Sequence, residues 1–172
     1  AFDTGPGPRH GIFDRDHKQL FLVSELSNQV FVYSLTEDAA AGTDSSHNSI
    51  SLPDFSMRLL HICSILPSDA VYEEPPASAA IRLSPDERFL YVSTRFAEVI
   101  TVFKIDHGCL AQIQQTGCGG IHPRDMVLTP DGRYLLVANR TRGGLVSFQI
   151  NQETGRLMDI CSRVPAPEAV SI

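Results

Sequence analysis

Short runs of alternating apolar and polar residues recur along most of the chain. Clear examples are Gln29–Leu35 (QVFVYSL), Val99–Ile105 (VITVFKI) and Gly144–Ile150 (GLVSFQI). Alternation with a period of two places the apolar side chains on one face of an extended strand, whereas an amphipathic helix needs a period of about 3.6 residues. The pattern therefore predicts a fold built from short β-strands.

A turn followed by a strand is repeated along the chain. The clearest copies are Ser84–Arg95 (SPDERFLYVSTR) and Thr129–Arg140 (TPDGRYLLVANR), and Asp14–Glu25 (DRDHKQLFLVSE) is a weaker copy. An apolar segment precedes each copy and two follow it, so each unit is predicted to be an antiparallel sheet of four strands, a to d. Repetition at about 40 to 50 residues is typical of propeller blades. We therefore predict an all-β fold, a β-propeller of four-stranded antiparallel blades.

The predicted domain is a partial propeller over residues 1–172. Its parts are blades at 8–66, 79–118 and 124–164, and the first strand of a further blade at 167–172. Two polar, small-residue insertions in or after the first blade, 36–56 and 67–77, are expected to be exposed. Closed propellers have roughly four to eight blades, and repeat units need neighbours to complete their core. We therefore expect pairing with a missing N-terminal half of the propeller or with a second copy of the chain.

Composition narrows the class of protein. The chain has 42% hydrophobic and 20% charged residues, typical of a folded domain, and no apolar run long enough to span a bilayer. Its net charge of -6 argues against binding to nucleic acid or to anionic membranes, which requires a basic surface. The four cysteines lack the C-x-x-C spacing of metal sites and are expected to be reduced and mostly buried. We expect a cytoplasmic protein without a cofactor, and the sequence shows no set of metal ligands, which leaves a metal requirement open.

Charged residues occupy equivalent positions of the repeats. Arg9, Arg124 and Glu168 precede strand a, whereas Glu25, Arg95 and Arg140 end strand b. Because strands a and b are antiparallel, both sets are expected at the mouth of the central channel on one face of the ring. Guanidinium groups bind carboxylate or phosphate bidentately, so this mouth suits a small anion. The predicted site residues are Glu25, Arg9, Arg95 and His10 for catalysis, and Arg124, His122, Asn139 and Arg140 for substrate binding.

Several of these residues lie in motifs that resemble a known family. The motifs, in order, are Gly5–His10 (GPGPRH), Val23–Leu26 (VSEL), Phe89–Arg95 (FLYVSTR), His122–Asp125 (HPRD) and Val164–Pro167 (VPAP). Together they resemble the lactonase family of seven-bladed β-propellers, which includes bacterial 6-phosphogluconolactonases and the fungal carboxymuconate-lactonising enzyme. The resemblance covers nearly the whole chain apart from the two insertions. It implies that the chain is the C-terminal half of a seven-bladed ring.

The resemblance also implies an activity, the hydrolysis of a sugar-type lactone, with 6-phosphogluconolactone as the expected substrate. The family's proposed catalytic Arg and Glu correspond to Arg9 and Glu25, and a second family Arg corresponds to Arg95. The family also draws a histidine from an earlier blade, for which this chain has no counterpart.

Lactone hydrolysis needs a base to activate water, a positive charge for the developing oxyanion, and an anchor for the anionic group. We expect Glu25 to be the base, Arg95 or Arg9 the oxyanion stabiliser, and Arg124 an anchor, with His10 sharing in proton transfer. Glu25 has an alternative role, as an ion pair that fixes neighbouring blades. His10 has one too, as a hydrogen-bond partner of the loop that leads into the blade.

Two other functions remain open at this point. A muconate-type cycloisomerase would close a diacid to a lactone with the same arginines, and a non-catalytic propeller would serve as an interaction scaffold. Fold class alone does not separate an enzyme from a scaffold.

Overall fold

A computed structural model describes residues 5–37 and 55–172. Within these ranges the regular structure consists of strands, and no helix is present that could cross a membrane. The strands are β1 (Pro8–Phe13), β2 (Gln19–Ser24), β3 (Gln29–Glu37), β4 (Phe55–Ser64), β5 (Ala77–Leu83), β6 (Phe89–Arg95), β7 (Val99–Asp106), β8 (Cys109–Gly117), β9 (Ile121–Leu128), β10 (Tyr134–Arg142), β11 (Gly144–Ile150) and β12 (Leu157–Val164).

The strands form separate four-stranded antiparallel sheets, in the orders β1-β2-β3-β4, β5-β6-β7-β8 and β9-β10-β11-β12. Each sheet is a meander in which neighbours in sequence are neighbours in space, so strands a to d of the predicted blades correspond to consecutive strands. The prediction of an all-β fold of four-stranded antiparallel blades is confirmed.

Two apolar layers hold the blades together, one on each side of the middle blade. Between the first and second blades, Val23 and Val32 pack with Leu90 and Val92. Between the second and third blades the layer includes Tyr91, Ile100, Leu135, Val137 and Phe148. Alternate residues of β6 therefore point into opposite layers, which is why every residue of this strand is buried.

The inner strands β1, β5 and β9 lie at the same edge of their sheets, and β1 contacts β5 while β5 contacts β9. We call the end of the sheets where these strands begin the mouth face. It also carries the turns between strands b and c and the connections between successive blades. The tight a–b turns and the c–d turns lie at the opposite end.

Some predicted boundaries differ from the structure. The insertion predicted at 36–56 is shorter, because β3 and β4 pair out to Glu37 and Phe55. The remaining residues, 38–54, lie outside the described residues. The second insertion ends one residue earlier than predicted, because Ala77 pairs with Arg95 in the ladder between β5 and β6.

The segment predicted to begin a further blade, 167–172, is not a strand in the structure. A strand requires a hydrogen-bonded neighbour, and no described strand pairs with this segment. Instead, the Ser171 hydroxyl and the Ile172 backbone N–H donate to Asp125 Oδ2 at 3.2 and 3.1 Å. Its place in a further blade stays a prediction.

The cysteines are free, but the expectation that most are buried is wrong. Cys118 is buried, whereas Cys109 and Cys161 are exposed and Cys63 is half-buried. The exposed pair lies on β8 and β12, the outermost strands of their blades, where one side of the strand meets solvent.

Replacing Gly155 by Ala is expected to destabilise the contact between the second and third blades. Gly155 is buried with a φ of 71°, and a Cβ there would overlap the Phe89 ring. Left-handed backbone strain and overpacking together lower the expected unfolding free energy by about 2–5 kcal/mol. The measurement is urea unfolding of the full-length protein.

Gly117→Ala is the matched control, because a Cβ at Gly117 would meet no atom within 4 Å. Its expected effect stays within about 0.5 kcal/mol. Equal stability of the two variants would contradict the packing of Gly155 against Phe89.

Candidate functional site at the mouth face

Most of the predicted site residues converge at the mouth face. Arg9 and His10 lie on β1, Arg124 lies on β9, and Glu25 follows β2 directly. An open cleft of about 580 Å³ runs between the inner strands, and Arg9, His10, Arg124, Arg140 and Glu168 contribute to its walls. The equivalence of these positions in the repeats therefore places them together in space.

Glu25 is held by two arginines from different blades. Its Oε2 lies 3.5 Å from Arg9 Nε, and its Oε1 accepts a hydrogen bond from Arg95 Nη2. Arg95 Nε also donates to the Ala77 carbonyl at 3.2 Å, and Arg9 Nη1 donates to the Ala79 carbonyl at 2.5 Å. Glu25 thus forms the inter-blade ion pair that the sequence left as an alternative, at the position of the proposed catalytic cluster.

His10 adjoins this cluster on β1. Its Nδ1 lies 3.2 Å from Arg9 Nη1. Partial burial lowers the pKa of His10, and the positive charges of Arg9 and Arg82 lower it further. His10 therefore favours the neutral state beside two guanidinium groups, in which one ring nitrogen accepts and the other donates.

Arg124 is a cation of the cleft whose guanidinium has all its hydrogen-bond donors unused within the described part of the chain. Within residues 5–37 and 55–172 its guanidinium has no hydrogen bond or ion pair, although the side chain is half-buried. Arg140 Nε, in contrast, lies 3.1 Å from Glu168 Oε2. A half-buried guanidinium with free donors is suited to a carboxylate or phosphate ligand.

His122 lies near the start of β9, two residues before Arg124. Its φ of 67° is left-handed, and its ring meets that of Phe96 edge-on with centroids 5.5 Å apart. Burial lowers the pKa of His122, and the charges of Arg95, Arg124, Arg140 and Arg9 add to the effect. The role of His122 in substrate binding stays a prediction, and its left-handed backbone conformation was not foreseen from the sequence.

Asn139 is the exception among the predicted binding residues. It is fully buried, and its Nδ2 donates to the Cys118 carbonyl at 3.4 Å. A side chain without exposed surface does not contact a ligand in the cleft. We therefore correct its assignment to a residue that holds the connection between β8 and β9.

Two carboxylates that the sequence prediction missed also lie here. Asp125 is buried, and its Oδ1 accepts a hydrogen bond of 2.6 Å from Arg82. Glu98 accepts hydrogen bonds from two backbone N–H groups in the turn and on β9. Asp125 directly follows Arg124 in the sequence, and this adjacency could have indicated that it lies at the site. The role of Glu98 depends on contacts between blades, which the sequence does not show.

The described part of the chain contains no group of three or more His, Cys, Asp or Glu side chains arranged to hold a metal ion. The groups that the described site offers are a carboxylate between two guanidiniums, imidazoles whose lowered pKa favours the neutral state, and a guanidinium without a protein partner.

Comparison with known proteins agrees with this architecture. Residues 1–172 match the family described as "Lactonase, 7-bladed beta-propeller". The chain belongs to this family. The lactonase-family match extends over the described blades and the connections that carry the site.

Relatives of this lactonase-family chain include a 6-phosphogluconolactonase of Bacillus subtilis, which is 32% identical and is aligned over 100% of the chain and 45% of its own length. A 6-phosphogluconolactonase of Formosa agariphila is also 32% identical, over 91% of the chain and 40% of its own length. The chain thus spans less than half the length of these curated relatives.

Solved structures of similar fold include a protein from Lactobacillus plantarum, with a TM-score of 0.82, 30% identity and coverage of 99% of this chain and 46% of that one. The periplasmic gluconolactonase of Pseudomonas aeruginosa has a TM-score of 0.81 at 27% identity, with coverage of 97% and 42%. Together with the family match, these neighbours support a partial seven-bladed propeller for the lactonase-family chain.

The lowered pKa values of His10 and His122 predict that the protein loses stability on mild acidification. A histidine of the unfolded chain takes up its proton near pH 6.5, before the folded one does. Stability is therefore full above about pH 6.5 and falls as the pH drops towards the folded values. Urea unfolding of the full-length protein between about pH 7.5 and 5 measures this slope.

His122→Asn is expected to reduce the slope, because Asn tolerates the left-handed backbone and does not titrate in this range. His107→Asn is the control: His107 also has a left-handed φ of 47°, but its side chain is 98% exposed. An unchanged slope in His122→Asn would show that burial of this imidazole is not linked to stability.

Proposed function

We propose that the full-length protein hydrolyses a sugar-type lactone, and that 6-phosphogluconolactone is the substrate. The observation that carries the proposal is the arrangement of Arg9, Glu25 and Arg95 next to the unpaired guanidinium of Arg124. Membership of the lactonase family supports this reading, as do relatives named 6-phosphogluconolactonase.

In this proposal Glu25 accepts a proton from the attacking water, and Arg95 or Arg9 stabilises the charge that develops on the lactone carbonyl oxygen. Addition of the activated water to the carbonyl carbon gives a tetrahedral intermediate. Its collapse breaks the bond to the ring oxygen, which takes a proton as the sugar acid is released. Both guanidiniums are already fixed by carbonyl groups of β5, so little reorganisation is needed when the charge forms.

Arg124 is proposed to bind the phosphate or carboxylate group of the substrate. Its donors are free for a bidentate contact, and Arg140 lies in the same cleft. Neutral His10 can accept or donate a proton beside Arg9 during opening of the ring. The remaining blades of the ring are the proposed partners that complete the walls of the cleft.

The decisive experiment is hydrolysis of 6-phosphogluconolactone by the full-length protein above the uncatalysed background, with the 172-residue chain assayed in parallel. Turnover by the full-length protein supports the proposal. Absence of turnover rejects it, and turnover of a muconate-type diacid instead would identify a cycloisomerase.

Glu25→Gln is expected to lower kcat by at least about 100-fold, because a carboxamide does not act as a base. KM should change little, since the anionic group of the substrate binds elsewhere. Steady-state kinetics of the full-length variant provide the measurement, with thermal unfolding to check the fold. Unchanged turnover would remove Glu25 from the mechanism.

Arg124→Ala is expected to raise KM by about 10- to 100-fold with a smaller effect on kcat, because it removes charged hydrogen bonds to the substrate. Arg156→Ala is the control, since Arg156 is exposed in the turn before β12, at the opposite end of the blades. Equal KM values for both variants would show that Arg124 does not bind the anion.

A further inference from the structure

We propose that Glu98 is a positioning residue, whose carboxylate holds the backbone of Phe96 and His122 and thereby fixes the His122 imidazole against the Phe96 ring at the mouth face. Oε1 of Glu98 accepts the Phe96 N–H at 3.1 Å, and Oε2 accepts the His122 N–H at 2.5 Å. Phe96 and Glu98 lie in the turn between β6 and β7, whereas His122 lies on β9. One carboxylate thus joins the second and third blades at the mouth face.

The backbone that Glu98 holds is unusual. Phe96 and His122 both have a φ of 67°, and Glu98 itself has a φ of 56°. Residues with bulky side chains rarely adopt the left-handed region, and such conformations persist where surrounding contacts enforce them. An ionised carboxylate offers two acceptor oxygens, so each of the two N–H groups has its own acceptor.

The connection from β8 to β9 is fixed on its other side as well. The Cys118 N–H donates to the Glu98 carbonyl at 2.9 Å, and Cys118 Sγ lies 3.2 Å from the Gly120 carbonyl. A Cβ at Gly120 would overlap the Arg142 carbonyl and the Asn139 side chain. The path of the chain into His122 is therefore set by close contacts as well as by the carboxylate.

The result is an imidazole whose neutral state is favoured by burial and by nearby cations. Four arginines act on His122, namely Arg9, Arg95, Arg124 and Arg140. Its Nε2 is buried and has no hydrogen-bond partner in the part of the chain that the structure describes. The imidazole thus lies near these arginines, and its position influences how they bind the anionic group of a ligand. This role in recognition rests on the proposed lactonase function, whereas the positioning of His122 does not.

Glu98→Gln tests the proposal in the full-length protein, because a carboxamide has a single acceptor oxygen and leaves one N–H without a partner. Glu87→Gln is the matched control. Glu87 also has a left-handed φ of 60°, and its Oε1 accepts the Arg15 N–H at 2.6 Å, but it lies in the β5–β6 turn at the opposite end of the blades. We expect KM for 6-phosphogluconolactone to rise about tenfold in E98Q and to stay within about twofold in E87Q.

The second readout is the His122 titration followed by NMR with histidine-selective labelling. Loss of the Glu98 charge by itself would lower the pKa of His122. Release of the ring from burial and from Arg9, Arg95, Arg124 and Arg140 would instead raise it towards its ordinary value. We expect a rise in E98Q, with loss of the ring-current shift from Phe96, and neither change in E87Q.

An unchanged or lowered pKa of His122 in E98Q would overturn the positioning role. If the wild-type protein shows no lactone turnover, the proposed function fails, and the NMR titration still decides the positioning. If E98Q does not fold, E98D takes its place, because it keeps the charge but withdraws the two acceptor oxygens from the N–H groups; a raised pKa of His122 supports the positioning role, and an unchanged or lowered one overturns it. Where E98Q folds, H122G provides the background for a double variant, since Gly adopts this φ freely. Equal KM values for H122G and E98Q/H122G support action through His122, whereas a further rise in the double variant contradicts it.

Discussion

The contact of Glu25 with Arg9 and Arg95 joins the first and second blades where the candidate site lies. The Arg95 side chain is only 9% exposed, so its charge depends on Glu25 for compensation. The Glu25 side chain is 34% exposed, so loss of this partner costs less than the about 3–5 kcal/mol typical of a fully buried ion pair, but it leaves a buried guanidinium without its counter-ion. The same carboxylate is therefore needed for the relative position of two blades and, in the proposed reaction, for proton transfer. Stability and chemistry are coupled at this residue.

The middle blade illustrates how neighbouring blades determine burial. Tyr91 and Val92 are adjacent on β6, yet both are fully buried, because they face different apolar layers. Strands on the first and third blades have one side towards solvent in the described structure, as in β12, where most residues are exposed. The same repeated sequence pattern therefore gives a strand that is buried on both sides in the middle blade and strands that are exposed on one side in the outer blades.

Strand positions and the charged cluster could be predicted because both repeat. Alternation located the strands, and equivalent positions in successive blades located Arg9, Glu25 and Arg95. The sequences of the connections at the mouth face do not repeat from blade to blade, so the contacts made by these connections could not be predicted from the repeat. Asn139 is polar and adjacent to Arg140, but it is buried under such a connection. Glu98 acts through backbone N–H groups, for which the sequence has no pattern.

The candidate site and the connection between β3 and β4 lie at opposite ends of the blades. Turns and connections at the mouth face hold the candidate site, whereas β3 and β4 meet at the opposite end, where Glu37 pairs with Phe55. Chain inserted between these paired residues leaves the strand register and the arginine cluster in place. That end therefore offers a position for a fluorescent label or an affinity tag remote from the cleft.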